Sequence, residues 1–328
     1  MSVVAVINEF SIETVKDALQ KLDAFNSLKV NGLNAHQLCQ LEAIDPELFA
    51  AVAEKIKADR WFPFAGAFTA SEEMTEAALI KSCLYSAQFF AEKFGKKYRV
   101  FHGEKIYGDY FPQIVYSSLF DSVAICGENE IKWLHGADGF RTLIIDGETV
   151  DVNDMDDTFI EGNSFISYEE LSDEIFMSAL EIKTEFLPAS KINASEIEKK
   201  LLEIEKELTL CDIDKQREIK NAWLAHLCGD DKSVEEILTE LKKIELNEKA
   251  EIIVGGDGVE LFEIKLAEDK SGDVIIRTAE TCGKEKSAYI VYNKLNAGFR
   301  FEILPYELQT YRIYRNTNGS VKEIYICE

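Results

Sequence analysis

The chain has 328 residues, enough for two or three domains of ~100–200 residues each. Its 46% hydrophobic and 11% aromatic content supplies a sizeable core and excludes a disordered chain. Sixty acidic against 36 basic residues give a net charge of -24, a field that makes nucleic acid and membrane surfaces poor partners.

Seven cysteines contain no CxxC pair, which excludes zinc-ribbon and thioredoxin-like arrangements. The start lacks a basic n-region, and no segment reaches the ~18 apolar residues of a membrane span. These features predict a cytoplasmic protein.

Residues 3–7 read as a small apolar strand. Ser11 opens a helix with Val15, Ala18, Leu19 and Leu22 on one face, the i, i+3, i+4, i+7 spacing. Residues 28–31 are a second strand candidate. Asp45-Pro46 is an N-cap with a first-turn proline, and Phe49, Val52, Ala53 and Ile56 follow on one face. Residues 61–68 read as a buried strand, and a helix from about residue 73 is stopped by Gly95. Apolar stretches at 98–101, 122–125 and 141–145 complete an alternation that points to βα units and a parallel sheet or barrel.

Residues 146–165 carry Asp146, Glu148, Asp151, Asp154, Asp156, Asp157 and Glu161 and read as a solvated loop. A calcium loop starting at Asp151 fails, because its fifth and sixth positions are Met155 and Asp156. Residues 167–250 look helical, with Ile197, Leu201, Ile204, Leu208 and Cys211 forming a packing seam and Ser233 with Glu236 a capping box. After Asn247 the period switches towards two. Seven strands are expected between residues 251 and 327, an antiparallel β module of sandwich type. Gly255-Gly256-Asp257-Gly258 is a turn, since no helix N-terminus follows it to cradle a phosphate. The fold class expected is therefore multidomain: a truncated, barrel-like α/β domain over 1–165, a helical domain over 166–250 and an all-β C-terminal sandwich over 251–328.

Three blocks in order carry a family resemblance. The first holds Asn34-Ala35-His36-Gln37, Asp45-Pro46-Glu47-Leu48-Phe49, Trp61-Phe62-Pro63-Phe64, Phe111-Pro112-Gln113-Ile114 and Trp133 with Gly136-Ala137-Asp138-Gly139. The second runs from Ala222-Trp223 to Val234. The third comprises Phe262-Glu263-Ile264, Ile276-Arg277-Thr278 and Leu304-Pro305-Tyr306-Glu307. Together, over about two-thirds of the chain, they resemble family 38 of the glycoside hydrolases, the retaining α-mannosidases.

That resemblance implies a metal, zinc, held by a His-x-Asp pair on the first strand, the nucleophilic aspartate and a histidine in the helical region. The first strand here, Val3-Val4-Ala5-Val6-Ile7-Asn8-Glu9, has no histidine. Counting back ungapped from Pro112 puts Gly103 at the nucleophile's position with Glu104 beside it, and anchoring on Tyr107-Gly108 puts Lys105 there. His226 falls where the last ligand would sit. One imidazole alone holds no metal, so a core or interface histidine is the stronger reading.

A retaining glycosidase needs two carboxyl groups ~5–5.5 Å apart. Glu104, Asp109 and Asp138 are the catalytic candidates, Trp61, Phe68 and His102 the substrate-binding candidates, and His226 the metal candidate. The favoured expectation is an α-mannosidase-like protein, its zinc site gone and no cofactor needed, that has lost hydrolysis and binds carbohydrate or a protein partner. The runner-up is a divergent glycoside hydrolase acting on α-mannosides or related sugars. A third reading, a structural partner or homo-oligomer, rests on the Ile197 to Cys211 seam.

Overall fold

Alternate residues of the first strand face two different cores. The computed structural model describes residues 2–69, 74–103, 105–125, 131–136, 140–145, 147–177, 182–188, 191–246, 249–317 and 319–326. In β1 (Ser2–Val6), Val4 and Val6 join one hydrophobic cluster while Val3 and Ala5 join the other. A strand buried on both faces reads as an unbroken apolar run rather than an alternating one.

Helix α1 (Ile12–Ala24) begins where the Ser11 hydroxyl accepts the Thr14 N–H at 3.0 Å. Strand β2 (Val30–Asn34) runs straight into α2 (Ala35–Ile44) through a reciprocal capping box of Asn34 and Gln37. Asp45 caps α3 (Pro46–Lys57), with Pro46 at its first turn. After β3 (Trp61–Phe64), Thr75 caps α4 (Glu76–Phe94), and Gly95 ends it in the left-handed region at φ 66°. Then come β4 (Val100–Gly103), α5 (Phe111–Ser117), β5 (Ser122–Ile125), β6 (Lys132–His135) and β7 (Arg141–Ile145).

The acidic stretch expected to be a loop is ordered instead. It forms β8 (Thr149–Asp151), α6 (Asp157–Gly162) and β9 (Ser164–Phe165). Two of its acids serve as caps: Asp151 accepts the Asn153 N–H and Asp156 the Phe159 N–H, each at 2.8 Å. Both strands lie parallel to β1, which gives the sheet β3-β2-β1-β8 with β9 beside β1.

The following stretch is not wholly helical. Helix α7 (Tyr168–Met177) is followed by a strand, β10 (Lys183–Phe186), which pairs with β6 in the sheet β10-β6-β7-β5-β4. Strands β4, β5 and β7 are parallel, whereas β6 runs antiparallel to β7. A parallel bridge between Gly66 and His102 links the two sheets, with the His102 N–H donated to the Ala65 carbonyl at 2.8 Å. Helix α7 packs on the face that carries Val4, Val6, Val100, Leu143 and Ile145. It is held there by Tyr168 N–H to the Asn31 amide oxygen (3.2 Å), Glu169 accepting the Arg99 and Val100 N–H groups (3.0 Å each) and Ser172 bonded to Ser122 (2.7 Å).

Helices α8 (Glu196–Leu210), α9 (Gln216–Leu227) and α10 (Asp231–Leu241) follow. The seam of α8 is taken up inside the chain, with Leu201, Ile204 and Leu208 buried in the main core. Ser233 does not cap α10: Asp230 does, accepting the Ser233 N–H at 3.1 Å.

The C-terminal part is two antiparallel sheets. One is made of β11 (Ile252–Gly255), β14 (Lys286–Tyr292) and β15 (Ala297–Ile303). The other contains β12 (Val259–Leu266), β13 (Val274–Glu280), β16 (Leu308–Tyr314) and β17 (Ser320–Glu323). Ile264, Ile276 and Ile313 of the second meet Ile290, Tyr292 and Ala297 of the first in one core cluster.

This part is bonded to the rest through buried polar groups. The Gln113 side chain donates to the Leu308 carbonyl (2.8 Å) and accepts the Leu308 N–H (3.1 Å). Lys81 of α4, almost wholly buried, pairs with Glu205 of α8 at 2.8 Å and with Glu263 of β12, which in turn meets Arg277 of β13. The Lys81 ammonium also sits 5.0 Å from the Trp223 ring centroid.

Candidate functional site

Ligands of open α/β sheets bind beyond the carboxyl ends of the parallel strands, where successive connections diverge. A cavity of about 220 Å³ opens there. Ile7 and Asn8 follow β1, Asn34 ends β2, Phe64 ends β3, His102 and Gly103 end β4, and Ala124 lies in β5; Gln37, Ala67 and Tyr107 complete the lining. The capping box engages the carbonyl oxygens of Asn34 and Gln37, at 2.9 Å each, so their amide NH2 groups are what they can offer a ligand. The Asn8 backbone N–H is fixed by Asp151 Oδ2 of β8 at 3.2 Å.

His102 lines the cavity. Its ring stacks on Phe64 (centroids 4.8 Å apart, 27° between planes) and meets the edge of Tyr168 at 5.0 Å. The residue as a whole is partly exposed, yet both ring nitrogens are shut off from solvent, with the Val100 and Ala65 backbone acting on the ring. Burial pushes its pKa down to about 3, so the imidazole is neutral at pH 7 and carries one donor and one acceptor nitrogen.

Gly103 leaves no room for a side chain. A Cβ at this position would fall 2.7 Å from the Phe101 ring and 3.2 Å from the Tyr107 ring. No acidic side chain is found among the described residues that line the cavity.

The other predicted residues are dispersed. Trp61 is fully buried, with its indole N–H donated to the Gly32 carbonyl at 2.9 Å. Phe68 is buried and tilted against His36, with centroids 6.2 Å apart. Asp109 is half-buried and lies close enough to Glu76 to repel it. Glu76 is itself buried, and burial foremost, with Asp109 adding, raises its pKa even though the Asn193 N–H donates to it at 3.0 Å. Glu104 and Asp138 lie outside the described residues.

His226 is engaged elsewhere. Its Nε2 is 2.9 Å from Glu198 Oε1, and its Nδ1 is 3.6 Å from Asp231 Oδ1. The hydrogen bond to Glu198 is the main reason its pKa is raised. No group of three His, Cys, Asp or Glu side chains suited to a metal occurs among the described residues. The donor set that the sequence resemblance implies for zinc is not found among the described residues: Ile7 and Asn8 follow β1, Gly103 has no side chain, and His226 is bonded to Glu198.

Sequence reasoning missed Asn8, Asn34, Gln37, Phe64 and Tyr107 as cavity residues. The signal for most of them was position at a strand's carboxyl end, which singles out no residue until the neighbouring strands are known.

No helix among the described residues is long and apolar enough to cross a membrane. No protein-family model matches the chain, and no curated protein matches it in sequence. Solved structures do. A protein in glycosyl hydrolase family 38 from Enterococcus faecalis aligns over 98% of this chain and 59% of its own, at 9% identity and a TM-score of 0.52. An alpha-mannosidase from Enterococcus faecalis V583 aligns over 99% of this chain and 61% of its own, at 8% identity and a TM-score of 0.53. The chain spans about three-fifths of each, and what the likeness establishes is a fold like theirs.

Proposed function

We propose that this chain is an α-mannosidase-like protein that has lost hydrolysis and binds a single sugar residue in the cavity beyond β1, β2, β4 and β5. In this reading the parallel sheets are a truncated, open barrel and the C-terminal sheets a β-sandwich. The observation that carries it is Gly103. The position that ungapped counting assigns to the nucleophile has no side chain and, with Phe101 beside it, no space for one. Support for a carbohydrate-type lining comes from three amide side chains, Asn8, Asn34 and Gln37, beside the rings of Phe64, His102 and Tyr107. The volume, about 220 Å³, is below the ~300–1,000 Å³ of pockets for drug-sized ligands and suits one small polar ring.

Isothermal titration with methyl α-mannoside, beside a turnover assay with an aryl α-mannoside, tests this. Saturable binding without turnover is expected, with binding lost in His102→Ala. Turnover that disappears in Glu104→Gln would replace it with the hydrolase reading.

One observation favours that second reading, a divergent glycoside hydrolase without the family metal. Glu76 and Asp109 are neighbouring carboxyls in unlike environments, and burial holds Glu76 towards its protonated form, the division of acid and base roles that glycosidases use. Turnover surviving Glu104→Gln but lost in Asp109→Asn would identify this pair.

A further inference from the structure

We propose that the solvent-facing side of the sheet β11-β14-β15 is a binding surface for a neutral oligosaccharide, with one sugar ring stacked on Tyr289 and its hydroxyls held by Arg300 and Glu302. Along β14, Ala288, Ile290 and Tyr292 enter the core while Ser287, Tyr289 and Val291 face out. Tyr289, Val291 and, opposite Val291 on β11, Ile253 are 44%, 40% and 42% exposed. They form a contiguous apolar strip, whereas apolar surface residues that carry no function are scattered singly.

Two glycines shape this face. Gly255 lies opposite Tyr289, and a Cβ there would fall 2.2 Å from two atoms of the Tyr289 ring. The ring therefore lies across the β11 backbone, in the space a side chain would fill. Gly298 lies opposite Val291 on the other flank of β14, and a Cβ there would meet nothing within 4 Å. Its backbone is not left-handed, and the β14–β15 register runs without a shift. With no bulge to serve, a strand glycine leaves room for close approach from outside.

The polar neighbours select the ligand. Arg300 stands directly opposite Tyr289 and Glu302 opposite Ser287, all on the exposed face. Neither the Arg300 guanidinium nor the Glu302 carboxylate has a partner among the described residues, so one offers only donors and the other only acceptors. A pyranose carries C–H bonds on its face and hydroxyls, which both donate and accept, around its rim. An apolar surface flanked by a donor and an acceptor matches that pattern. An acidic sugar would meet Glu302, and a second copy of this chain would bring a net charge of -24 against an equal one. Strand addition is closed to a partner here, because β14 is paired along both edges.

The full chain titrated with mannohexaose, cellohexaose, maltohexaose and hexagalacturonate, followed by amide NMR and sedimentation, tests the proposal. At least one neutral hexamer is expected to shift the Tyr289, Gly298 and Arg300 amides saturably, with no change in oligomeric state. Tyr289→Ala should weaken that binding about tenfold, the upper range for an aromatic contact, and Arg300→Met roughly threefold to tenfold. Gly298→Val, which fills the notch with a strand-favouring side chain, should abolish it. The shifts should persist in His102→Ala, since this surface shares no residue with the first cavity. Shifts at none of these amides with any neutral hexamer, hexagalacturonate binding tightest, undiminished binding in Tyr289→Ala, or loss of the shifts in His102→Ala would overturn it. So would a dimer that dissociates in Tyr289→Ala, which would make the face an interface between copies. If Gly298→Val fails to fold, Tyr289→Ala and Arg300→Met decide.

Discussion

His226 Nε2 and Glu198 Oε1 are 2.9 Å apart, and this contact ties the end of α9 to the start of α8. Glu198 is almost wholly buried and also accepts the Thr75 hydroxyl at 2.7 Å and the Ser195 N–H at 2.6 Å. One carboxylate therefore joins the N-caps of α4 and α8 to a histidine of α9. A residue that the family pattern would assign to a metal serves here as a fastening between helices.

That pair has a defined pH window. Its hydrogen bond to Glu198 raises the pKa of His226, so its stabilisation is full below the unfolded value of ~6.5 and is lost as pH rises through the folded value. Burial alone would raise Glu198, but bonds from His226, Thr75 and Ser195 outweigh it and hold it low. Its share is present above ~4.3 and lost as pH falls through the folded value. His226→Gln should thus destabilise most between about pH 4.3 and 6.5, by about 1–3 kcal/mol. Thermal melts at pH 5.5 and 9 that differ equally between the two proteins would dismiss the pair.

His102 works in the opposite sense. Its pKa is pushed down to about 3 by burial, while the unfolded chain protonates near 6.5, so the unfolded state binds the extra proton between those values. Stability should fall as pH drops from 7, by about 2 kcal/mol at pH 5 from this group. In His102→Phe that component of the urea-denaturation profile should vanish. NMR should find the His102 ring neutral from pH 5 to 8; a midpoint near 6 would refute its burial.

Placing a carboxylate at position 103 should destabilise the chain. Gly103→Ala already brings a Cβ to 2.7 Å from the Phe101 ring, an overpacking expected to cost about 1–3 kcal/mol, and Gly103→Asp should cost more. Chemical denaturation measures both. An unperturbed Gly103→Asp would mean that the cavity wall yields freely.

Lys81 has two acidic contacts, Glu205 and Glu263, and its removal leaves a buried carboxylate under-compensated. Lys81→Met should destabilise by about 3–5 kcal/mol. Adding Glu205→Gln should recover part of the loss, a coupling visible in a double-mutant cycle. Strict additivity would show that the pair contributes nothing.

Much of the scaffold was legible residue by residue. The Ser11 and Asp45-Pro46 caps, the Gly95 stop and the period-two strands after Asn247 are local signals, because capping, left-handed backbone and alternation depend on neighbours within four residues. Strands β8 and β9 were not. They are three and two residues long, too short for any period to emerge, and they exist because β1 offers them an edge. Of the cavity lining the sequence singled out His102 as a substrate-binding candidate; otherwise it offered absences, no histidine on the first strand and a glycine where counting placed a nucleophile.

Composition and local pattern by themselves determined helix ends and the late change to antiparallel strands, and showed a first strand without histidine. Only the tertiary structure decided that Asn8, Asn34, Phe64, His102 and Gly103, scattered over about 95 positions, share one cavity. It alone showed His226 engaged by Glu198. The physical reason is that caps and periods are short-range, whereas a binding site and a shifted pKa arise from side chains and burial that other strands and helices supply.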